Sequence, residues 1–409
     1  MSRNVSFKVS SRTARLIGRE NVANAEAAII ELIKNGYDAD AEVVQVIFKN
    51  DDLYIIDNGS GMTAETVENK WMIIGTDNKH KNTTTPKGRV VSGEKGIGRF
   101  ALDKLGHATS LVSWTGNKDD KPIKWEVKWA DFEAQNTTVD KVTATLTEIS
   151  IADFSDIYKL ITKHSTKHGT ILHIQNVRDE WNESRIQELF ESMQALVPPA
   201  NDRDFGINLT SDNHPNKWGA VSPLISENYD YRLEARYNSE RQQIEYTLYR
   251  NEFDIKLLEK KFNALFDEKH MGKEPFNLAT FRKGFYSGTT PLRKALRSDN
   301  IDQQLLDTIG TFSFDLTFSK ISRPNDEDIV RFPYKTIDYR ERANWLKSFG
   351  GIRIFRDNFR VRPYGESGDD WLRLGERQAQ SPGGAAQRLG GYRVRPNQVT
   401  GSIYISPRQ

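Results

Sequence analysis

The sequence predicts an α+β chain in two domains, and three observations predict it. An amphipathic helix is followed at once by two β-branched strands; a Pro-Pro and Asn/Asp-rich break falls midway; beyond it strand-like and helical stretches resume with a different texture. A chain of 409 residues is long enough for two cores, and eight tryptophans and twenty phenylalanines can fill them. Composition also sets limits. With no cysteine there is no disulfide framework and no thiolate metal site. No signal peptide and no apolar run of about 18 residues is present, so a soluble, cytoplasmic protein without membrane contact is expected. A formal net charge of +2 leaves a nucleic-acid partner open, because sequence-independent DNA binding needs only a local basic patch.

The helix is expected over Val22 to Gly36, where Val22, Ala25, Ile29, Leu32 and Ile33 recur at three- and four-residue steps and form one buried stripe. At about 100° per residue, Glu31, Asn35 and Asp38 cluster on roughly the opposite side. A polar helix face is ordinarily wet, so these three residues gain meaning only from the segments C-terminal to them. Val43–Phe48 and Leu53–Asp57 read as strands around an Asn50-Asp51-Asp52 turn, being β-branched or aromatic runs bounded by turn formers. The second ends in Asp57-Asn-Gly59-Ser-Gly61-Met62. An acid at a strand end followed by two glycines suits a tight bend that lets a flat ring approach, and its carboxylate could accept from an exocyclic amine. In isolation the same residues read as an ordinary turn.

The third element extends from Gly75-Thr76-Asp-Asn-Lys79 to Phe100. Lys79, Lys81, Lys87, Arg89, Lys95 and Arg99 stand against Glu94 alone, a local excess that suits a polyphosphate. The glycines of Gly93-Glu-Lys95-Gly96-Ile97-Gly98 free backbone N–H groups to face anionic oxygens, and Phe100 to Gly106 reads as a following helix. The loop is neither a Walker loop, which needs Gly-Lys-Ser/Thr, nor a dinucleotide fingerprint, whose glycine spacing is reversed relative to this one.

Taken in order, these segments resemble the GHKL ATPases: gyrase-type topoisomerases, the ninety-kilodalton heat-shock chaperone, sensor histidine kinases and MutL. Glu31, Asn35 and Asp38 carry the first box. Asp57, Gly59, Gly61 and Met62 carry the second, and Gly93, Lys95, Gly96, Gly98 and Arg99 the third. His168-Gly169-Thr170, before the strand Ile171–Ile174, is similar to the fourth, whose threonine joins the adenine contact. The resemblance implies a Bergerat-type α/β sandwich with helices over one face of a mixed sheet, and ATP between helix and lid. Glu31 would be the general base that activates water, which favours hydrolysis over phosphoryl transfer to histidine. Asn35 would hold Mg²⁺, an ion that takes few protein ligands directly. Asp38 would support the pocket, with Asp40 a near alternative, and Asp57 would read adenine with Gly59, Gly61, Met62 and Thr170. The lid contacts implied are Thr76, Lys79, Gly93, Lys95, Gly96, Ile97, Gly98, Arg99 and Phe100.

Trp181 to Val197 reads as a helix leading through Pro198-Pro199 into the loop near 201–217, which divides an ATP-binding domain, 1–210, from a second domain, 221–409. The second domain carries strands at Tyr231–Ala235 and Ile244–Tyr249, helices near 257–266 and 301–308, and a hairpin over Gly351–Gly365. That hairpin resembles the transducer segment of MORC ATPases and related bacterial proteins. A transducer cation on the γ-phosphate would have to be Arg388, Arg393 or Arg395, or Lys335 ahead of the hairpin; the glycine-rich context of the arginines suits a solvated loop equally. Read as one strand, Arg356, Arg360 and Arg362 share a face, with Arg353 on the other. Ending just after Gly401–Ile405, the chain would be the amino-terminal portion of something longer. His164, His168 and His173 lack the clustered acids or cysteines of a metal site.

The function expected is Mg²⁺-dependent ATP hydrolysis driving lid closure and homodimerisation, as a clamp or switch on DNA. A protein client, as for the heat-shock chaperone, is the alternative, and a nucleotide-binding module without turnover is a third reading.

Overall fold

The computed structural model describes residues 9–13, 16, 22, 24–73, 84–89, 91, 101–133, 137–154, 167–197, 205–223, 227–267, 271–296, 302–356, 359–361, 363–366, 368–380 and 394–405. The chain divides into two compact units, Met1–Gln194 with Ala200–Ser222, and Ala195–Pro199 with Pro223–Gln409. Each is built on a mixed seven-stranded sheet.

In the first unit the strands are β1 (Val43–Lys49), β2 (Asp52–Asp57), β3 (Gly106–Trp114), β4 (Ile123–Lys128), β5 (Thr145–Glu148), β6 (Gly169–Val177) and β7 (Gly206–Ser211), in the order β5-β4-β3-β6-β2-β1-β7. Every neighbouring pair is antiparallel except β1 with β7. Helix α1 (Ala25–Asp38) packs on β1 and β2, and α2 (Ala101–Leu105) packs beside it. The helix begins at Ala25 rather than Val22 because the Asn24 side chain accepts from the Ala27 N–H at 2.8 Å and caps it there. Its inward face buries Ala25, Ile29, Leu32 and Ile33 of the anticipated stripe, and continues through Tyr37. The opposite face of the sheet is apolar too, with Ile47, Ile56, Val112, Trp114 and Ile171 in one cluster. A sheet covered on both faces rigidly holds β2 and its neighbour β6, and with them the strand ends that carry Asp57 and Thr170. Helix α3 (Glu183–Gln194) follows β6, shorter than the Trp181 to Val197 expected.

In the second unit the strands are β8 (Tyr231–Asn238), β9 (Gln243–Arg250), β10 (Phe285–Pro291), β11 (Phe312–Phe318), β12 (Gly351–Arg356), β13 (Phe359–Val361) and β14 (Val399–Ile405), in the order β10-β9-β8-β11-β14-β12-β13. Only β12 and β14 run parallel. Its cores gather around Tyr237, Leu292 and Leu306, and around Phe253, Leu258 and Phe281.

The β12–β13 hairpin changes which of its arginines share a face; Arg362, grouped with Arg356 and Arg360 by strand alternation, lies outside the described residues. Its register pairs Phe355 with Arg360 and Arg356 with Phe359, so Arg360 shares a face with Phe355 and Arg353, opposite Arg356. Arg356 and Phe359 are directly paired across the ladder, so the alternation of a single continuous strand does not carry through the hairpin. The guanidiniums of Arg353 and Arg360 are also committed inside the unit: Arg353 donates to the Phe349 carbonyl at 2.6 Å and Arg360, 9% exposed, to that of Tyr364 at 3.2 Å. Burial lowers the Arg353 pKa from its ordinary value. Among the described residues no helix is long and apolar enough to cross a membrane.

Candidate nucleotide site

The site is assembled where three features of the first unit meet: the carboxyl half of α1, the loop after β2, and the start of β6. Glu31, Asn35 and Asp38 all lie on α1, each partly exposed, on the side away from the buried stripe. The Glu31 carboxylate accepts from Lys34 Nζ at 2.8 Å, one turn along the same helix. Asp38 and Asp40, ambiguous in sequence, separate clearly. Asp40 is 9% exposed at φ 60°, and its carboxylate accepts from the Thr85 hydroxyl and from the Lys87 N–H, so it fastens a neighbouring loop.

Asp57 ends β2, and the register places it directly across the ladder from Thr170 on β6. Two segments 113 residues apart in sequence, the second and fourth boxes, thereby become neighbours. The Asp57 carboxylate accepts from the Gly59 N–H at 2.8 Å. Burial is the main influence on its acidity, pushing the pKa up to about 6 against the opposing effects of the Gly59 hydrogen bond and the nearby His168.

The glycines explain why this floor is tight. A Cβ at Gly36 would lie 2.6 Å from Val44 Cγ2 and 3.2 Å from Asp57 Cβ, so Gly36 lets α1 press directly against the acid. Gly61 has φ +71°, and a Cβ there would sit 2.1 Å from the Trp114 carbonyl oxygen. His168 Nδ1 lies 2.6 Å from the Gly59 carbonyl oxygen; since that oxygen can only accept, Nδ1 carries the proton. The Asn58 side chain accepts from the Glu42 and Val43 N–H groups at 2.8 and 3.0 Å and ties the loop to β1.

Ser113, on β3, joins the second box to the fourth. Its hydroxyl oxygen accepts from the Met62 N–H at 2.9 Å, lies 3.0 Å from the Gly169 carbonyl and 2.9 Å from the Thr170 hydroxyl, and the residue is fully buried. One proton and two lone pairs satisfy all three contacts when Ser113 donates to Gly169 and Thr170 donates to Ser113. No local motif marks Ser113 or Gly36; only the ladder of β3 with β6, and the packing of α1 on β2, reveal them.

Arg89 departs from the expected cluster of lid cations. It is 6% exposed, donates to the Tyr37 and Ala41 carbonyls at 3.2 and 2.7 Å, and stacks 4.6 Å from the Tyr37 ring. It caps the carboxyl end of α1, where a cation complements the helix dipole. Lys87 Nζ pairs with Glu42 at 3.1 Å. Thr76, Lys79, Gly93, Lys95, Gly96, Ile97, Gly98, Arg99 and Phe100, the expected lid contacts, lie outside the described residues, as do Arg388 and Arg393. In the second unit Lys335 bonds to the Asn251 side chain and Arg395 is exposed. His173 pairs with Asp52 at 2.7 Å and stacks on Tyr54, and no cluster of three or more potential metal-ligating side chains occurs among the described residues.

Residues 23–176 match the family described as "Histidine kinase-, DNA gyrase B-, and HSP90-like ATPase". A relative from Herpetosiphon aurantiacus, "Putative type II restriction enzyme HgiDII", is 33% identical over 104 residues, covering 25% of this chain and 16% of the relative. The family match supports ATP binding by the first unit.

Proposed function

We propose that the first unit binds and hydrolyses ATP, that closure of its lid over the triphosphate drives homodimerisation, and that the whole acts as a clamp or switch on DNA. The observation that carries the nucleotide reading is the pairing of Asp57 with Thr170 above a floor of glycines that admit no side chain. An ionised Asp57 offers only acceptors, which match the adenine amine and leave the guanine carbonyl unmatched. Glu31 would orient and deprotonate the attacking water, a contribution of about 100- to 10,000-fold in rate. Asn35, one turn away on a partly exposed helix face, fits Mg²⁺ as a single amide donor, because that ion keeps most of its octahedral shell as water and phosphate oxygen. The ion would neutralise triphosphate charge as it develops in the transition state. Asp38, Gly59, Gly61 and Met62 would support the nucleotide from below, and the segment from Thr76 and Lys79 through Gly93 to Phe100 would cover its phosphates. A transducer cation from Lys335, Arg388, Arg393 or Arg395 would complete the closed state.

DNA as the client is favoured by the restriction enzyme named among the relatives and by the resemblance to MORC and MutL. The test is ATP hydrolysis with and without duplex DNA, combined with sedimentation of Glu31→Ala in ATP and Mg²⁺ and then in ADP. Hydrolysis stimulated by DNA and a dimer that recedes in ADP are expected. Hydrolysis indifferent to DNA would remove the clamp's client, and a monomer under both nucleotides at tens of micromolar protein would remove dimerisation.

A further inference from the structure

Lys34 separates this helix face from a simple carboxylate-and-amide pair. Its ammonium lies 2.8 Å from Glu31 Oε1, and its side chain is only 16% exposed although it carries a charge at a polar helix face. The partner carboxylate is 43% exposed, so the pair is buried at the lysine end and open at the end where the base would meet water. On the helix, Lys34, Asp38, Glu31 and Asn35 fall within an arc of about 100°. Glu31 stands between the lysine and the amide.

We infer that Lys34 is a positioning residue for Glu31, fixing one carboxylate oxygen so that the other faces the attacking water. This deepens the ATPase reading and rests on Glu31 being the base. The physical argument is one of freedom lost in advance. A glutamate on an exposed helix face samples several rotamers, and only a few place an oxygen against a water aligned with a phosphoryl group. An i,i+3 ammonium with little room of its own narrows those choices before the nucleotide arrives. Helical i,i+3 ion pairs are worth only a few tenths of a kcal/mol to an isolated helix, so the effect is expected chiefly in rate, with folding of each variant checked separately. Misplacement of a reacting group by about an ångström can cost on the order of 100-fold, which sets the scale.

The test uses the full chain and four proteins: parent, Lys34→Met, Lys34→Arg and Glu31→Gln. Steady-state hydrolysis of Mg-ATP is measured for each, with the ATP Kd from calorimetry and far-UV circular dichroism to establish folding. Lys34→Met should lower kcat about tenfold while Kd stays within about threefold of the parent, and Lys34→Arg should restore at least half of the lost rate. Lys34→Gln replaces Lys34→Met if the latter does not fold. An unchanged or raised kcat in the charge-removed variant overturns the positioning role, a rise making Lys34 a brake. A Kd weakened tenfold or more at constant kcat also overturns it, since Lys34 would then be a phosphate contact. Turnover retained by Glu31→Gln, or absent from the parent, overturns the catalytic reading and this inference together. Loss of turnover in Glu31→Gln beside an unaffected Lys34→Met defeats this inference alone.

Discussion

Asp57→Asn should make the nucleotide-free protein more stable and the nucleotide-bound one less so. The carboxyl is desolvated, with its pKa up to about 6 from an ordinary 3.8. Between those values the folded state holds a proton that the unfolded state has released, so stability falls as pH rises through this window and is flat above it. At about 1.4 kcal/mol per pH unit, the interval corresponds to a cost of at most about 3 kcal/mol at pH 7, lowered by the solvent that reaches this partly exposed residue. Asparagine keeps the acceptor that bonds the Gly59 N–H at 2.8 Å and carries no charge to desolvate. Removing the charge should therefore raise the apo unfolding free energy by up to that amount above pH 6, with the gain shrinking toward zero at pH 4. The ligand side has the opposite sign. An amide that turns its NH₂ toward the adenine amine leaves a buried donor unmatched, at about 1–3 kcal/mol.

Denaturant unfolding of parent and variant at pH 4, 5, 6, 7 and 8, beside ATP calorimetry at pH 7, measures both signs. The parent's own affinity should follow the carboxylate. At pH 5, with a pKa near 6, only about one molecule in eleven is ionised, and the apparent Kd should weaken about tenfold relative to pH 7.5. A variant less stable than the parent at pH 7, or a difference independent of pH, would refute the reasoning, because Asp57 would then be a solvated or ion-paired acid. Equal affinity for ATP and GTP in the parent would remove Asp57 as the reader of adenine.

Further outcomes are expected from single substitutions. Glu31→Gln should bind ATP within a few fold of the parent and lose most hydrolysis, read by phosphate release. Ser113→Ala removes the common partner of Met62, Gly169 and Thr170, and should cost about 1–3 kcal/mol in unfolding free energy and weaken ATP binding; unchanged affinity would make the bridge irrelevant to the site. Gly61→Ala forces a Cβ against the Trp114 carbonyl at positive φ, and should abolish the thermal shift given by ATP. Arg89→Met should lower stability by about 2–3 kcal/mol and leave the salt dependence of ATP binding unaltered, since its charge faces the Tyr37 and Ala41 carbonyls and not a phosphate.

What the sequence made legible was local: the stripe of α1, the strands on either side of Asn50, and the residue types at the floor of the site. The strand end at Asp57 and the glycines after it announce themselves because a tight bend admits few residue types. What it concealed depended on register and burial. Six cations between Lys79 and Arg99 look alike as a string, yet Arg89 lies under the end of α1 and bonds to its carbonyls. The hairpin arginines depended on where the chain turns, since the pairing of Phe355 with Arg360 reverses the faces that continuous alternation suggests. Ser113 was invisible because its role needs β3 beside β6, a neighbour relation that no spacing along the chain encodes.

The same burial that hides such residues also divides the charges of the site by task. Asp40 and Arg89 are 9% and 6% exposed, with their hydrogen bonds directed into the unit, so a ligand would have to break them to gain either side chain. Glu31, Asn35 and Asp38 remain partly exposed on one helix face, open to solvent. Asp57 lies between these cases: desolvated enough to resist ionisation, yet placed at a strand end beside Thr170. A carboxyl in that state gains most from a ligand that supplies a hydrogen-bond donor and excludes the remaining water, since the donor stabilises the charge that burial disfavours. Nucleotide binding and deprotonation of Asp57 are therefore linked. Uptake of ATP near pH 6 should release a fraction of a proton, and calorimetry in buffers of different ionisation enthalpy would detect it. No net release at pH 6 would mean that the acid is already ionised before the nucleotide arrives.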